Sequence, residues 1–462
     1  MMPLPFADSP SPPPRLRLRA RRRTLCLCVI FSLASIPHFA AQAPPPAKGR
    51  QANPPAPAKP GPAADPQQAL LTQADEALAR KDFAAAADAL RKYIATRPDD
   101  AYAHFQLGYA ATGLERWDDA KTHYARAAEL DPKMAAAHMN LGLILLEHAP
   151  PQAAADALAR AVELLPGQAQ PRFLYGTALE KAGRLAEAIE QYRAALRLDD
   201  AQPEYHLGLG RALLNSGQFA ESEKAFRASL EIRPDAAQAR LGQAQALLGQ
   251  QKDEPAAREM EAYLLAEPGD AVTRLQLART RAGLGQDEKA LAALDRLDAA
   301  GAPSLESLEL RADIHLRQKK FDAAAQTIAR ILSAQPQNAA ARAKLGRLHL
   351  ERRDFAAAQR ELTEALRLQP DHPDALRDLA SAFYLAENYA AALQAQDLLL
   401  QRETPPHFFW FVRATCFDKL GKKPEALEAY EKFMALDQGR SEKQDFQARQ
   451  RIKALRRNLK RD

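Results

Sequence analysis

The sequence predicts an all-α fold, an α-solenoid of stacked helical hairpins, and three observations predict it. A 34-residue period runs without insertion or deletion from Gln67 to Arg440, giving eleven repeats. Position 8 of the period holds only Gly or Ala, and position 20 is Ala in every repeat but one, where Ser222 stands. Position 24 carries a large apolar side chain in every repeat but one, where Gln396 stands, and position 32 is Pro in seven.

The repeats begin at Gln67, Ala101, Ala135, Ala169, Pro203, Ala237, Ala271, Leu305, Ala339, Pro373 and His407. Small residues at a fixed spacing have a physical cause. Two helices approach to about 8 Å only where no bulky side chain stands between them. Gly or Ala at position 8 is therefore expected to face Ala at position 20, with the large residue at position 24 filling the space beside that contact. Pro at position 32 ends the second helix because it cannot donate the backbone hydrogen bond. Each repeat reads as a helix, a short turn and a second, antiparallel helix.

Two segments precede the repeats and one follows. Residues 1–43 read as a signal peptide: Arg15, Arg17, Arg19, Arg21, Arg22 and Arg23 lead into an apolar run from Leu25 to Ile36, and Ala41-Gln42-Ala43 supplies small residues for cleavage. That run is shorter than the roughly 20 residues a membrane-spanning helix needs. Residues 44–66, rich in Pro and Ala, have no apolar pattern to bury and read as an extended, disordered linker, with a reach approaching roughly 70 Å at ~3.1 Å per residue. If the signal is retained, the linker would hold the array away from a membrane, a peripheral or signal-anchor attachment. Residues 441–462 read as a capping helix, with Phe446, Ile452, Leu455 and Leu459 at helical spacing, because a stack of repeats exposes its last apolar face unless something covers it.

The column pattern resembles the tetratricopeptide repeat (TPR), whose period is 34 residues. Leu107-Gly108, Trp117, Ala120, Tyr124, Ala127 and Pro132 of repeat 2 carry the likeness. One departure is systematic. Position 4, often Trp in the family, is His104, His138, Arg172, His206, Arg240, Arg274 and Arg342, and only the last repeat keeps Trp410. The resemblance implies a right-handed superhelix whose inner wall is lined by the first helix of each repeat.

Composition excludes several function classes. The net charge of +6 suggests nucleic acid, but removal of residues 1–43 leaves 58 basic and 57 acidic residues. The capping segment holds eight basic against three acidic residues, so the repeats themselves are slightly acidic and no broad basic face is expected. Of the three cysteines, Cys26 and Cys28 lie in the signal, and Cys416 occupies position 10, where other repeats place Ala, Ile or Leu; it reads as a small buried hydrophobe. The histidines His104, His138 and His206 share a column, but adjacent repeats lie of order 10 Å apart and zinc needs nitrogen at ~2.0–2.1 Å. No metal site, phosphate loop, dinucleotide fingerprint or catalytic constellation emerges, so neither cofactor nor enzymatic activity is expected.

The expected function is binding. Positions 2, 5, 9 and 12 of the first helix form one stripe, outside the packing columns. Along it lie Tyr102, Phe105 and Tyr109 in repeat 2, Phe173 in repeat 4, Arg211, Arg279 and Arg347 in repeats 5, 7 and 9, and Tyr384 in repeat 10. In repeat 11, Phe408 and Phe411 follow the same stripe, while Trp410 and Phe417 read as core. Core packing by position 5, pairing of the arginines with Glu of a neighbouring repeat, and coverage of the last aromatics by the cap are the alternatives. The family's clamp for a partner's C-terminal carboxylate is absent, since only Asn140 fits it and Leu71, Gln106 and Leu174 stand where it needs other residues. The resemblance implies a non-catalytic scaffold or adaptor that holds peptide segments of other proteins in a concave groove; the signal adds export to the periplasm or cell envelope. An accessory subunit of a polysaccharide-export, pilus or secretion complex, and a regulatory TPR partner of a glycosyltransferase, are the alternatives.

Overall fold

The computed structural model describes residues 66–402 and 404–459; the signal, nearly all of the linker and the last three residues lie outside the described residues. The described residues form 23 helices, eleven consecutive pairs followed by a terminal helix, Glu442–Asn458, and no strand. They divide into two compact bodies, 66–273 and 274–459. Within each, adjacent helix pairs pack as in a TPR solenoid. From repeat 2 onward the first helix of each pair starts at the first residue of the period, from Ala101 to His407.

The turn between the paired helices has one repeated device. Position 15 adopts a positive φ in ten repeats, the left-handed residue that ends a helix, and it is Gly in four of them but Lys81, Glu115, Gln251, Lys319, Arg353 or Glu387 in the others. Repeat 3 differs. There Ala149 is extended and Pro150 and Pro151 open the second helix. Asp82, Asp354 and Asn388 then cap their second helices by accepting from the backbone N–H three residues on.

The small-residue columns pack more intimately than the spacing alone implied. A Cβ added at Gly108 would lie 2.8 Å from the Tyr124 ring, and one at Gly176 would lie 2.9 Å from Tyr192 and 3.3 Å from the carbonyl oxygen of Ala188. Position 8 thus faces the side chain at position 24 first and the backbone at position 20 second. Tyr192 also presses on Gly208, and Phe226 on Gly242, so one ring fills the gap between its own repeat and the next. In the first body the core runs on in this way from Met139 through Leu158, Phe173 and Tyr192 to Tyr205.

The departure at position 4 has a structural role that the sequence did not disclose. His104, His138 and Arg172 donate to the carbonyl oxygens of Pro98, Pro132 and Pro166 at 3.0, 3.2 and 3.3 Å. His206, Arg240 and Arg342 do the same to Asp200, Pro234 and Pro336 at 2.9, 2.7 and 3.0 Å. The acceptor is always position 32 of the preceding repeat. These side chains tie the loop between repeats to the next first helix, satisfying a carbonyl that the ended helix leaves without a partner. Position 4 of repeat 10 is Leu376, which cannot donate, and there Arg402 reaches the Pro370 carbonyl instead at 2.7 Å.

Candidate ligand-binding face

The stripe expected to bind ligand is partly occupied by contacts between successive first helices. Position 9 of one repeat meets position 6 of the next: Gln106 donates to Asp75, and Lys344 pairs with Asp313 at 2.6 Å. Arg211 of repeat 5 makes a bidentate pair with Glu180 of repeat 4, at 2.6 and 2.7 Å, and Glu180 also accepts from the Tyr192 hydroxyl at 2.8 Å. Arg279 reaches Glu306 of repeat 8 at 2.6 Å. Both arginines therefore hold neighbouring repeats in register, the second of the alternatives above. Exposed Arg347 faces Asp378 of repeat 10; burial raises that carboxyl to about 6, against the lowering pull of the Arg347 charge.

The aromatic residues separate into core and surface. Phe105 is 1% exposed and Phe173 7% exposed, and neither is open to a ligand. Phe105 packs against Tyr124 with ring centroids 5.7 Å apart, and Phe173 lies between Tyr192 and Tyr205 at 5.7 and 4.8 Å. The stripe assignment of these two is corrected. Position 5 leans toward the second helix and completes the core in the early repeats, as Met139, wholly buried, also shows. Tyr102 and Tyr109 remain half-buried at the rim of that core.

In the second body Tyr384, Phe408 and Phe411 are all half-buried. Tyr384 and Phe408 rest on one cluster made by Ala392, Leu393, Val412 and Cys416. Phe408 stacks on Phe411 at 5.9 Å, and Phe411 turns its other side to Phe433 at 5.3 Å, in the cluster that Ala448 and Leu455 of the terminal helix close. Phe411 thus belongs to the core of the last repeat, whereas Tyr384 and Phe408 sit half-buried over a packed floor. That floor includes Cys416, fully buried, its thiol pushed up to about 12 by burial. Among the described residues no group of three or more His, Cys, Asp or Glu could hold a metal ion, and none of the helices is long and apolar enough to cross a membrane.

Tetratricopeptide repeat models match residues 71–118, 106–169, 207–271, 275–339 and 343–408, and a second one matches residues 176–217. The chain belongs to the tetratricopeptide repeat family. Several solved structures are similar to it. The crystal structure of YrrB, described as a TPR protein with an unusual peptide-binding site, is 21% identical, spans 40% of this chain and 96% of its own, and has a TM-score of 0.37. MamA from Desulfovibrio magneticus RS-1 is 22% identical over 37% of this chain and 98% of its own, with a TM-score of 0.36. The Cut9–Hcn1 tetramer of the APC/C is 14% identical over 85% of this chain and 97% of its own, with a TM-score of 0.40. At those scores the likenesses carry no weight beside the family match. No curated protein matches the chain. As a TPR protein it is a protein–protein interaction scaffold, of a family whose members bind peptide segments of other proteins and are generally non-catalytic.

Proposed function

We propose that this TPR protein is an exported scaffold of the cell envelope, and that it receives an apolar segment of a partner protein on the first-helix face of repeats 10 and 11. The observation that carries the site is the pair Tyr384 and Phe408, two half-exposed rings on a common buried floor. Aromatic side chains with fixed rotamers over a packed base are the usual anchors of binding energy, costing ~2 kcal/mol or more on truncation. Arg211, Glu180, Arg279 and Asp313 on the same face are engaged with neighbouring repeats, which favours the aromatic patch as its ligand-selective part. Export is supported by the arginine cluster followed by the apolar run of residues 25–36.

Affinity capture from envelope extract with residues 44–462, set against the Tyr384→Ala/Phe408→Ala variant, tests the site. Loss of the captured proteins with unchanged helical circular dichroism is expected, and an unaltered capture profile would remove the site from consideration. Fractionation of cells producing the tagged full chain tests the setting, which an exclusively cytosolic signal overturns.

A further inference from the structure

A cavity of about 640 Å³ lies in the second body between the end of the second helix of repeat 10, Tyr389–Leu400, and both helices of repeat 11, His407–Lys419 and Lys423–Asp437. Its volume falls within the ~300–1,000 Å³ of small-ligand sites. The junction between repeats 10 and 11 combines several departures from the pattern of most others. The helix ending at Leu400 has 12 residues against 14 in repeat 9, and position 32 is Thr404 rather than Pro. Position 4, which ties the preceding loop to the next helix in six other repeats, is Trp410, whose ring lines the cavity. The loop at Pro405 and Pro406 lines it as well.

The walls are of two kinds. Leu400, Leu436 and Trp410 make an apolar side, while Lys432, Arg440 and His407 bring basic groups, and no acidic side chain among the described residues lines the cavity. Lys432 is held through its side chain, and Arg440 through the backbone of its turn. The Lys432 ammonium sits 3.8 Å from the centroid of the Trp410 ring, a cation–π contact that holds the charge at the aromatic wall. Arg440 is presented by a locked turn: Gln438 and Gly439 take positive φ, the Arg440 N–H donates to the Asp437 carbonyl at 3.1 Å, and the Ser441 N–H donates to the Asp437 side chain at 3.0 Å. Asp437 is wholly buried and lies 3.2 Å from His407 Nε2, which ties the turn to the start of the first helix.

A lysine held at the aromatic wall and an arginine on an ordered turn, both exposed, stand beside apolar side chains, and together they are complementary to one chemistry. We propose that this cavity binds an amphiphilic carboxylate, the anionic head between Lys432 and Arg440 and the apolar tail against Trp410, Leu400 and Leu436. A free aryl or fatty acid and a polypeptide C-terminus ending in a large apolar residue both present that chemistry. The site is separate from the Tyr384–Phe408 patch, which occupies positions 12 and 2 of the stripe.

Trp410 is one of two tryptophans, so in a Trp117→Phe background its emission reports the cavity directly. Titration of the full chain with 4-phenylbutyrate, with the peptide acetyl-Gly-Leu-Phe, and with the amide of each is the test. The acids are expected to shift and quench Trp410 emission saturably and the amides are not. Arg440→Gln and Lys432→Gln, both on exposed side chains, should each weaken the acid by about tenfold or more, the loss of one charge-assisted hydrogen bond. Tyr384→Ala/Phe408→Ala should leave it unchanged, so this result stands or falls apart from the peptide-groove reading. Response to the free acid or to the peptide acid supports the proposal and tells the two sources apart. Equal binding of amides, or retention of acid affinity in both glutamine variants, overturns it.

Discussion

Gln396→Leu should stabilise the protein, although it removes a polar group that looks specific. Gln396 is the one polar residue in the position-24 column and is 0% exposed, and neither atom of its amide has a hydrogen-bond partner. The Cys416 thiol beside it offers only a weak interaction. A buried amide left unsatisfied costs ~1–3 kcal/mol. Leucine fits the site, because position 8 of this repeat is Ala380, and leucine already sits over alanine in repeats 1 and 7, where Leu90 and Leu294 are both wholly buried. The added apolar packing compensates the small change in shape, and the net gain should be about 2 kcal/mol. In a repeat array such a gain is felt first by the helices in contact. The assay is therefore hydrogen exchange of Pro373–Leu385 and Tyr389–Leu400 followed by mass spectrometry, where 2 kcal/mol corresponds to roughly 30-fold slower opening. Exchange that is faster or unchanged in the variant would refute the reasoning and imply that the amide is satisfied in solution.

Two further outcomes follow from the packing and the half-buried histidines. Gly142→Ala should destabilise the first body by ~1–2 kcal/mol, read as a fall in urea midpoint. The new Cβ would lie 2.4 Å from Leu158 Cγ, an overpacking cost of ~1–3 kcal/mol that outweighs the helix-propensity gain of about 1 kcal/mol. Acidification should also weaken the first body more than the second. Burial lowers His123 and His138 there from the ordinary 6.5, and the charge of His104 lowers His123 further, so the folded state binds fewer protons than the unfolded one. Their stability is complete above about pH 6.5 and is lost as pH falls through the lowered values. In the second body His315 shifts the same way, but Asp378, raised to about 6, acts oppositely: what it contributes is present below its ordinary 3.8 and is lost as pH rises through 6. Peptide-resolved exchange between pH 7 and 5 should therefore show residues 66–273 loosening first; the reverse order would contradict the assignment.

Much of the fold was legible because its information is repeated. A period that places Gly or Ala at position 8 in eleven successive copies leaves little freedom for any other arrangement, and the helix starts follow it from Ala101 to His407. The ligand-binding face was harder to read, for a geometric reason. Spacing places Phe105 and Tyr109 on one stripe, but it does not say how far each helix is rotated toward its partner, and that rotation buries Phe105 and leaves Tyr109 half out. The arginines posed a different difficulty. Arg211 and Glu180 are 31 residues apart, and Arg279 and Glu306 are 27 apart. Pairs at that separation become visible only when positions of adjacent repeats are compared column against column. The position-4 hydrogen bonds had a signal of the same kind: a donor recurring six residues after position 32, which a search for donors opposite the proline carbonyl would have found.

The contacts between first helices also bear on where ligand selectivity can reside. A solenoid needs its repeats to keep register, and here polar pairs on the stripe itself contribute, as in Arg211–Glu180 and Arg279–Glu306. A side chain held in such a pair has little left for a partner, since opening the Arg211–Glu180 pair would leave the nearly buried Glu180 carboxylate without its counter-ion. Ligand contacts are then confined to positions where the register is held by other means. In repeats 10 and 11 it is held by apolar packing of Leu393, Val412 and Cys416, and there Tyr384 and Phe408 keep their outer faces. The same junction lacks the position-4 tie and opens the cavity at Trp410 on its other side. The polar pair that joins these two repeats, Arg413–Asp397 at 2.7 Å, lies off the stripe, which leaves the first-helix face there to aromatic side chains.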